Sequence, residues 1–129
     1  MKLIENVQHR ATRMIPELHG KTYEHRLATV NLTTLETRRL RGDLIEMFKI
    51  LKGFDKVTLP ITTNILSNLR SHSLKLFKHR FNTNIGKFVF VNRVVDEWNK
   101  LSEDTISCNT VNCSKNKLDH YLRDCRRLT

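Results

Sequence analysis

With 129 residues, 39% of them hydrophobic, the chain is long enough to bury a core, and four glycines and two prolines leave most of it free to be helical. Lysines and arginines number 23 against 13 acidic residues, a net charge of +10 that points to nucleic acid or another anionic partner. No apolar run approaches the roughly eighteen residues of a membrane span, and Glu5, Gln8, His9 and Arg10 break any apolar signal region behind Met1.

In chain order, Leu3, Ile4, Val7, Ala11, Met14 and Ile15 recur at helical steps and predict a first helix that buries this stripe and ends at Pro16. His19–Gly20 reads as a turn, and Thr22 as the cap of a short helix with Tyr23, Leu27 and Val30 inward. The longest predicted helix runs from Thr33 to Gly53. Thr33 and Glu36 have capping-box spacing, and Leu40, Leu44, Met47, Phe48 and Leu51 form one apolar stripe. Gly53, after Lys49 and Lys52, supplies the left-handed exit. Arg38, Arg39 and Arg41 crowd the start of this helix, where the dipole disfavours cations; an anionic partner would explain them, and so would a solvated basic face.

Residues 54–70 lose periodicity and are expected to be an internal loop. The run HSLKLFKHRF, 72–81, alternates loosely, which is compatible with one short β-hairpin near residues 72–90. A helix resumes from Gly86 with Val91, Val94, Val95, Trp98 and Leu101 inward. Asn109 or Thr110 then caps a last helix whose inward line is Val111, Leu118, Tyr121 and Leu122. The fold class expected is all-α or mostly α, a single irregular helical domain over 1–129 with about five helices.

Between Asp55 and Asp96 there is no acidic residue, whereas Lys56, Arg70, Lys75, Lys78, Arg80, Lys87 and Arg93 lie there with His72 and His79. Phe77, Phe81, Phe88 and Phe90 are interleaved. Cations hold phosphates and aromatic faces stack bases, as single strands and hybrid duplexes require; the first reading of Phe77, Phe88 and Phe90 is nevertheless as core. The candidate nucleic-acid-binding residues are Arg38, Arg39, Arg41, Lys75, Lys78, Arg80 and Lys87.

Cys108, Cys113, His120 and Cys125 have the order of a zinc knuckle, but four, six and four residues intervene and no glycine turns the loop. Cys113, Leu118 and His120 also continue a helical pattern, so neither a metal nor another cofactor is expected. An odd number of cysteines argues for reduced thiols, hence a cytoplasmic or nuclear protein. There is no Gly-rich phosphate loop, nucleophile elbow, paired-carboxylate motif or HExxH.

The runs IENVQHRATRMIPEL, YEHRLATVNLTTLETRRLRGDLIEMFKILKG, HSLKLFKHRF, FVNRVVDEWNKLSED and NTVNCSKNKLDHYLRD closely resemble the C-terminal end of jockey-like LINE retrotransposon polyproteins. These are non-LTR reverse transcriptases with an N-terminal endonuclease. The resemblance follows the family's order over nearly the whole chain and is weakest over 57–69. It implies the thumb-side, post-polymerase region, without the adjacent aspartates of the catalytic palm and without the endonuclease. It therefore implies a non-enzymatic segment that grips RNA or an RNA–DNA hybrid, partnered by the rest of the reverse transcriptase polyprotein, with no small-molecule substrate and no membrane. Relatives carry phenylalanine where Ser114 stands, which makes Ser114 a lost core anchor. Two other readings are a helical protein-docking module and a non-functional retrotransposon relic.

Overall fold

The computed structural model describes residues 2–59, 61–63, 72–80, 82–83, 85 and 89–127, with the side chains of 126 and 127 excepted. Among these the chain is mostly helical, as its periodicity predicts. The elements are α1 (Lys2–Arg13), a 3-10 turn (Pro16–Leu18), α2 (Tyr23–Thr29), α3 (Leu35–Lys52), α4 (Phe90–Asn99), α5 (Glu103–Ile106) and α6 (Val111–Arg127). Two compact units, Met1–Leu40 and Arg41–Thr129, divide the chain within α3.

In the first unit, α1 is turned the opposite way from its apolar stripe. Leu3 is 83% exposed and Met14 81%, and Ile4 and Val7 are exposed as well. The face turned toward α2 is polar. Glu5 accepts hydrogen bonds from the Tyr23 hydroxyl (2.5 Å) and from the Leu35 N–H (2.9 Å). Gln8 Nε2 donates to the Tyr23 hydroxyl (3.0 Å) and to the Thr33 carbonyl (3.1 Å). The His9 and Tyr23 rings lie 4.5 Å apart, and Arg26 Nε donates to Thr12 Oγ1 at 3.2 Å.

The physical reason is what α2 presents. Tyr23 and the buried Arg26 carry polar groups that lose water on packing, so they need acceptors and donors opposite. The polar face of α1 provides these, while Leu18 and Leu27 supply the unit's buried apolar side chains. Apolar periodicity reports which residues could be buried, but not what the opposing helix needs.

Local signals in this unit are mostly where the sequence puts them. Thr22 accepts from the His25 N–H at 3.3 Å, capping α2. Asn31, with φ +55°, closes that helix in the left-handed conformation, and the Leu32 N–H donates back to the Leu27 carbonyl at 2.8 Å. The cap of α3 is one residue later than the Thr33–Glu36 box. Thr34 Oγ1 accepts from the Thr37 N–H (3.3 Å), and the carboxylate at the helix start is Glu5 from α1 rather than Glu36, which is exposed.

The second unit has an apolar centre that matches the predicted stripes. Leu44, Ile45, Met47 and Phe48 of α3 are buried, as are Val91, Val94, Val95 and Trp98 of α4 and Leu101 beyond it. Gly53, at φ +78°, ends α3 as expected: its N–H donates to the Ile50 carbonyl and that of Phe54 to Lys49, while the Phe54 ring stacks on Phe48. Thr110 caps α6 through the Cys113 N–H (3.2 Å). Ser114, Leu118 and Leu122 face inward from α6; Ser114 is 1% exposed, and its hydroxyl has no hydrogen-bond partner among the described residues. The four-residue α5 went unseen because so short a helix has no period to detect.

Residues 72–77 are extended and are held by the C-terminal end of α4. His72 Nε2 donates to the Trp98 carbonyl and the Trp98 indole N–H to the Leu74 carbonyl, both at 2.9 Å. The Asn99 amide accepts from the Leu76 N–H (2.9 Å) and donates to its carbonyl (3.0 Å), pairing with the segment as a neighbouring strand would. On the other side Leu76 forms an isolated antiparallel bridge with Thr63, and the Phe77 N–H donates to Thr62. The described part of the expected hairpin thus pairs backward, to the 54–70 stretch; the rest of that hairpin and of the loop lies outside the described residues.

Two substitutions separate these packing modes. Glu5→Ala should cost about 1–3 kcal/mol, because a charged acceptor is removed from two donors, while Val7→Ser should change stability by less than about 0.5 kcal/mol at an exposed site. Urea unfolding followed by circular dichroism measures both, and a larger loss at Val7 would show its stripe to be buried. Trp98→Ala should cost about 3–5 kcal/mol by leaving a cavity and should release the 72–76 segment to rapid amide exchange. Unaltered exchange there would remove Trp98 from its anchoring role.

Candidate nucleic-acid interface

The structure distributes the candidate cations unequally. Arg38 and Arg39 are exposed on α3 in the first unit, with no carboxylate within ion-pair distance among the described residues. Arg41, in the second unit, is committed internally. Its Nε and Nη2 donate to the two carboxylate oxygens of Asp119 on α6, at 2.6 and 3.1 Å. This bidentate bond raises the guanidinium pKa further and holds the Asp119 carboxyl below its usual range, in each case against the opposing effect of burial. Part of the arginine crowding at the start of α3 therefore has a cause inside the protein.

Lys75 is half-buried, Lys78 is exposed and reaches Asp96 of α4 at 2.6 Å, and Arg80 is exposed with no carboxylate nearby among the described residues. Lys87 lies outside the described residues. The long interval without acids does not go without counter-charge, because carboxylates reach it from α3, α4 and α5. Asp43 clamps Arg93 through two 2.8 Å bonds, Asp96 holds Lys78, and Glu103 accepts from the Ser73 N–H (2.7 Å) and hydroxyl (3.1 Å).

The expectation that Phe77 is core is corrected. In an extended segment successive side chains point to opposite sides, and Leu76, 3% exposed, takes the inward position. Phe77 is left 52% exposed, its ring edge-on to His79 with centroids 5.5 Å apart. The result is an exposed run, Phe77, Lys78, His79 and Arg80, carried on a backbone tethered to α4. Phe90 is half-buried under the Arg93 guanidinium, which lies 5.8 Å from its ring centroid; Phe81 and Phe88 lie outside the described residues.

Cys108 and Cys113 bring their sulfurs to 2.8 Å, and burial, then the neighbouring thiol, pushes Cys108 up. His120 and Cys125 are exposed further along α6. Among the described residues no group of three possible metal ligands gathers, and no helix is long and apolar enough to cross a membrane. Arg26 is what the sequence reading passed over. It shares an arc of α2 with Tyr23 and Val30 at three- and four-residue spacing, a signal that counts only apolar residues and so skips an arginine.

A mostly helical, strongly basic chain with an exposed aromatic–cationic run defines the class broadly. The family is narrower: a model described as RNA dependent RNA polymerase matches residues 4–125, and the chain belongs to that family. It is an RNA-dependent-polymerase-related protein, the level at which the resemblance of its sequence runs is upheld. Membership also corrects the expectation of a non-enzyme, since the family is one of polymerases, an enzyme class. That expectation rested on a missing aspartate pair, and the absence of one motif does not make a chain a non-enzyme. No curated protein and no solved structure matches the chain.

Proposed function

We propose that the chain serves an RNA-dependent DNA polymerase of the jockey-like LINE type by holding RNA or an RNA–DNA hybrid during target-primed reverse transcription. The observation that carries this reading is the exposed run Phe77, Lys78, His79 and Arg80, which offers phosphate-binding cations and a stacking face on one tethered segment. Family membership and the net charge of +10 support it. Lys75, Arg38 and Arg39 add cations, whereas Arg41 serves the fold through Asp119. Lys78 can exchange Asp96 for a phosphate at little cost, since an exposed ion pair contributes about 0–1 kcal/mol.

A second reading, contact with the rest of a larger polyprotein, is favoured by one observation: the uncovered stripe of Leu3, Ile4, Val7 and Met14 on α1. The two readings use different surfaces and are compatible.

Each phosphate contacted releases condensed counterions, so log affinity falls with log salt at a slope of about −0.7 to −0.9 per contact. Replacing Lys75, Lys78 and Arg80 together by alanine should flatten that slope by about two units and weaken binding alike for every sequence. A control triple at Lys2, Lys115 and Lys117 should flatten it less. Fluorescence anisotropy with single-stranded RNA and a hybrid duplex over a salt series makes the comparison; equal flattening by both triples would reduce the attraction to the diffuse field of a basic protein.

A further inference from the structure

The first unit contains a second basic feature that the reading above does not use. Between α1 and α2 an open cavity of about 370 Å³ is lined by Arg13, Leu18, His19, Gly20, Lys21 and Arg26. No carboxylate lines it, and among the described residues Arg13, His19, Lys21 and Arg26 have none within ion-pair distance. Glu17 and Glu24, close in sequence, are exposed and outside the lining.

Arg26 gives the cavity its meaning. It is 5% exposed, yet every acceptor it meets is uncharged: Thr12 Oγ1 at 3.2 Å, the Lys21 carbonyl at 2.8 Å and His9 Nε2 at 3.4 Å. A buried guanidinium normally faces a carboxylate, because desolvating a charge is costly without an opposite one. Each Nη uses one N–H on these bonds and keeps another. His9 Nε2 accepts from the Arg26 guanidinium, and its pKa is lowered first by desolvation and then by Arg13 and Arg26, with Glu24 and Glu5 acting in the opposite sense. Gly20, at φ +76° with open space where a Cβ would stand, lets an anion approach the backbone, and its N–H has no acceptor among the described residues.

We propose that this cavity is a phosphate-binding site, in which Arg13, Lys21, Arg26 and the Gly20 amide hold one tetrahedral oxyanion and supply the counter-charge that Arg26 lacks. The phosphate belongs either to an RNA backbone or to a small free species such as pyrophosphate, which nucleotide addition releases. The site is independent of the 77–80 run and of the LINE reading.

The test uses the full chain at fixed ionic strength, titrated separately with pyrophosphate and with a short single-stranded RNA, by calorimetry and by amide and Arg Nε–H chemical shifts. At least one of the two should bind, shifting the Gly20 amide and the Arg26 Nε–H. Arg13→Gln/Lys21→Gln should weaken that binding about tenfold or more, as expected for lost charge-assisted bonds, with an unchanged melting temperature before ligand is added. Saturation by pyrophosphate identifies a free species; response to RNA alone identifies a backbone phosphate. The Lys75, Lys78 and Arg80 triple variant should still shift Gly20 and Arg26, which separates failure here from failure of the 77–80 interface. No shift at Gly20 with either ligand, or equal affinity in the Arg13→Gln/Lys21→Gln variant, would overturn the proposal.

Discussion

The second unit depends on how the end of α4 treats a segment that has no helix of its own. Trp98 and Asn99 together offer an indole N–H, a main-chain carbonyl and a primary amide to residues 72–76. An extended chain cannot satisfy its own backbone groups, so it must find a partner or stay in water. Here the partners are the side chains at a helix end: the Trp98 indole and the Asn99 amide meet the Leu74 carbonyl and both Leu76 backbone groups, and the His72 imidazole returns a donor to the Trp98 carbonyl. One arrangement serves both, and it places Leu76 in the core while turning Phe77 outward. The outward Phe77 follows from that anchored backbone, and Lys78, His79 and Arg80 continue it as exposed residues.

The first unit solves a different problem. Its helices meet through Glu5, Gln8, His9 and Thr12 against Tyr23 and Arg26, so hydrogen bonds rather than apolar area define the contact. Such an interior specifies one register, because each donor must face its acceptor. It also leaves a guanidinium without an opposite charge and an apolar stripe without cover. Both are features that a partner or ligand would complete.

What could be read from the sequence divides along the same line. In α3, α4 and α6 the apolar spacing fixes which side chains are inward, and burial of Leu44, Phe48, Val94, Trp98 and Leu118 follows it. Gly53, Thr22 and Thr110 are legible because each answers a local backbone need. In α1 the same spacing misleads, since orientation there is set by the polar demands of residues distant in the chain. Arg41 and Arg93 were unreadable for a related reason: their carboxylates, Asp119 and Asp43, are 78 and 50 positions away. Charge spacing along a chain says nothing about such pairs. The lineage was readable as that of an RNA-dependent polymerase, but the absence of a catalytic motif was over-read as absence of an enzyme.

The tethered run at 77–80 belongs to a chain of an RNA-dependent polymerase family. Contact of this run with nucleic acid can be read by photo-crosslinking a thiouridine-bearing RNA to the full chain and locating the adducts by mass spectrometry. Adducts concentrated on the peptide containing Phe77, Lys78, His79 and Arg80, and lost on competition with unlabelled RNA, are the predicted result. Adducts confined to α6, or spread evenly over the lysines of the surface, would contradict it.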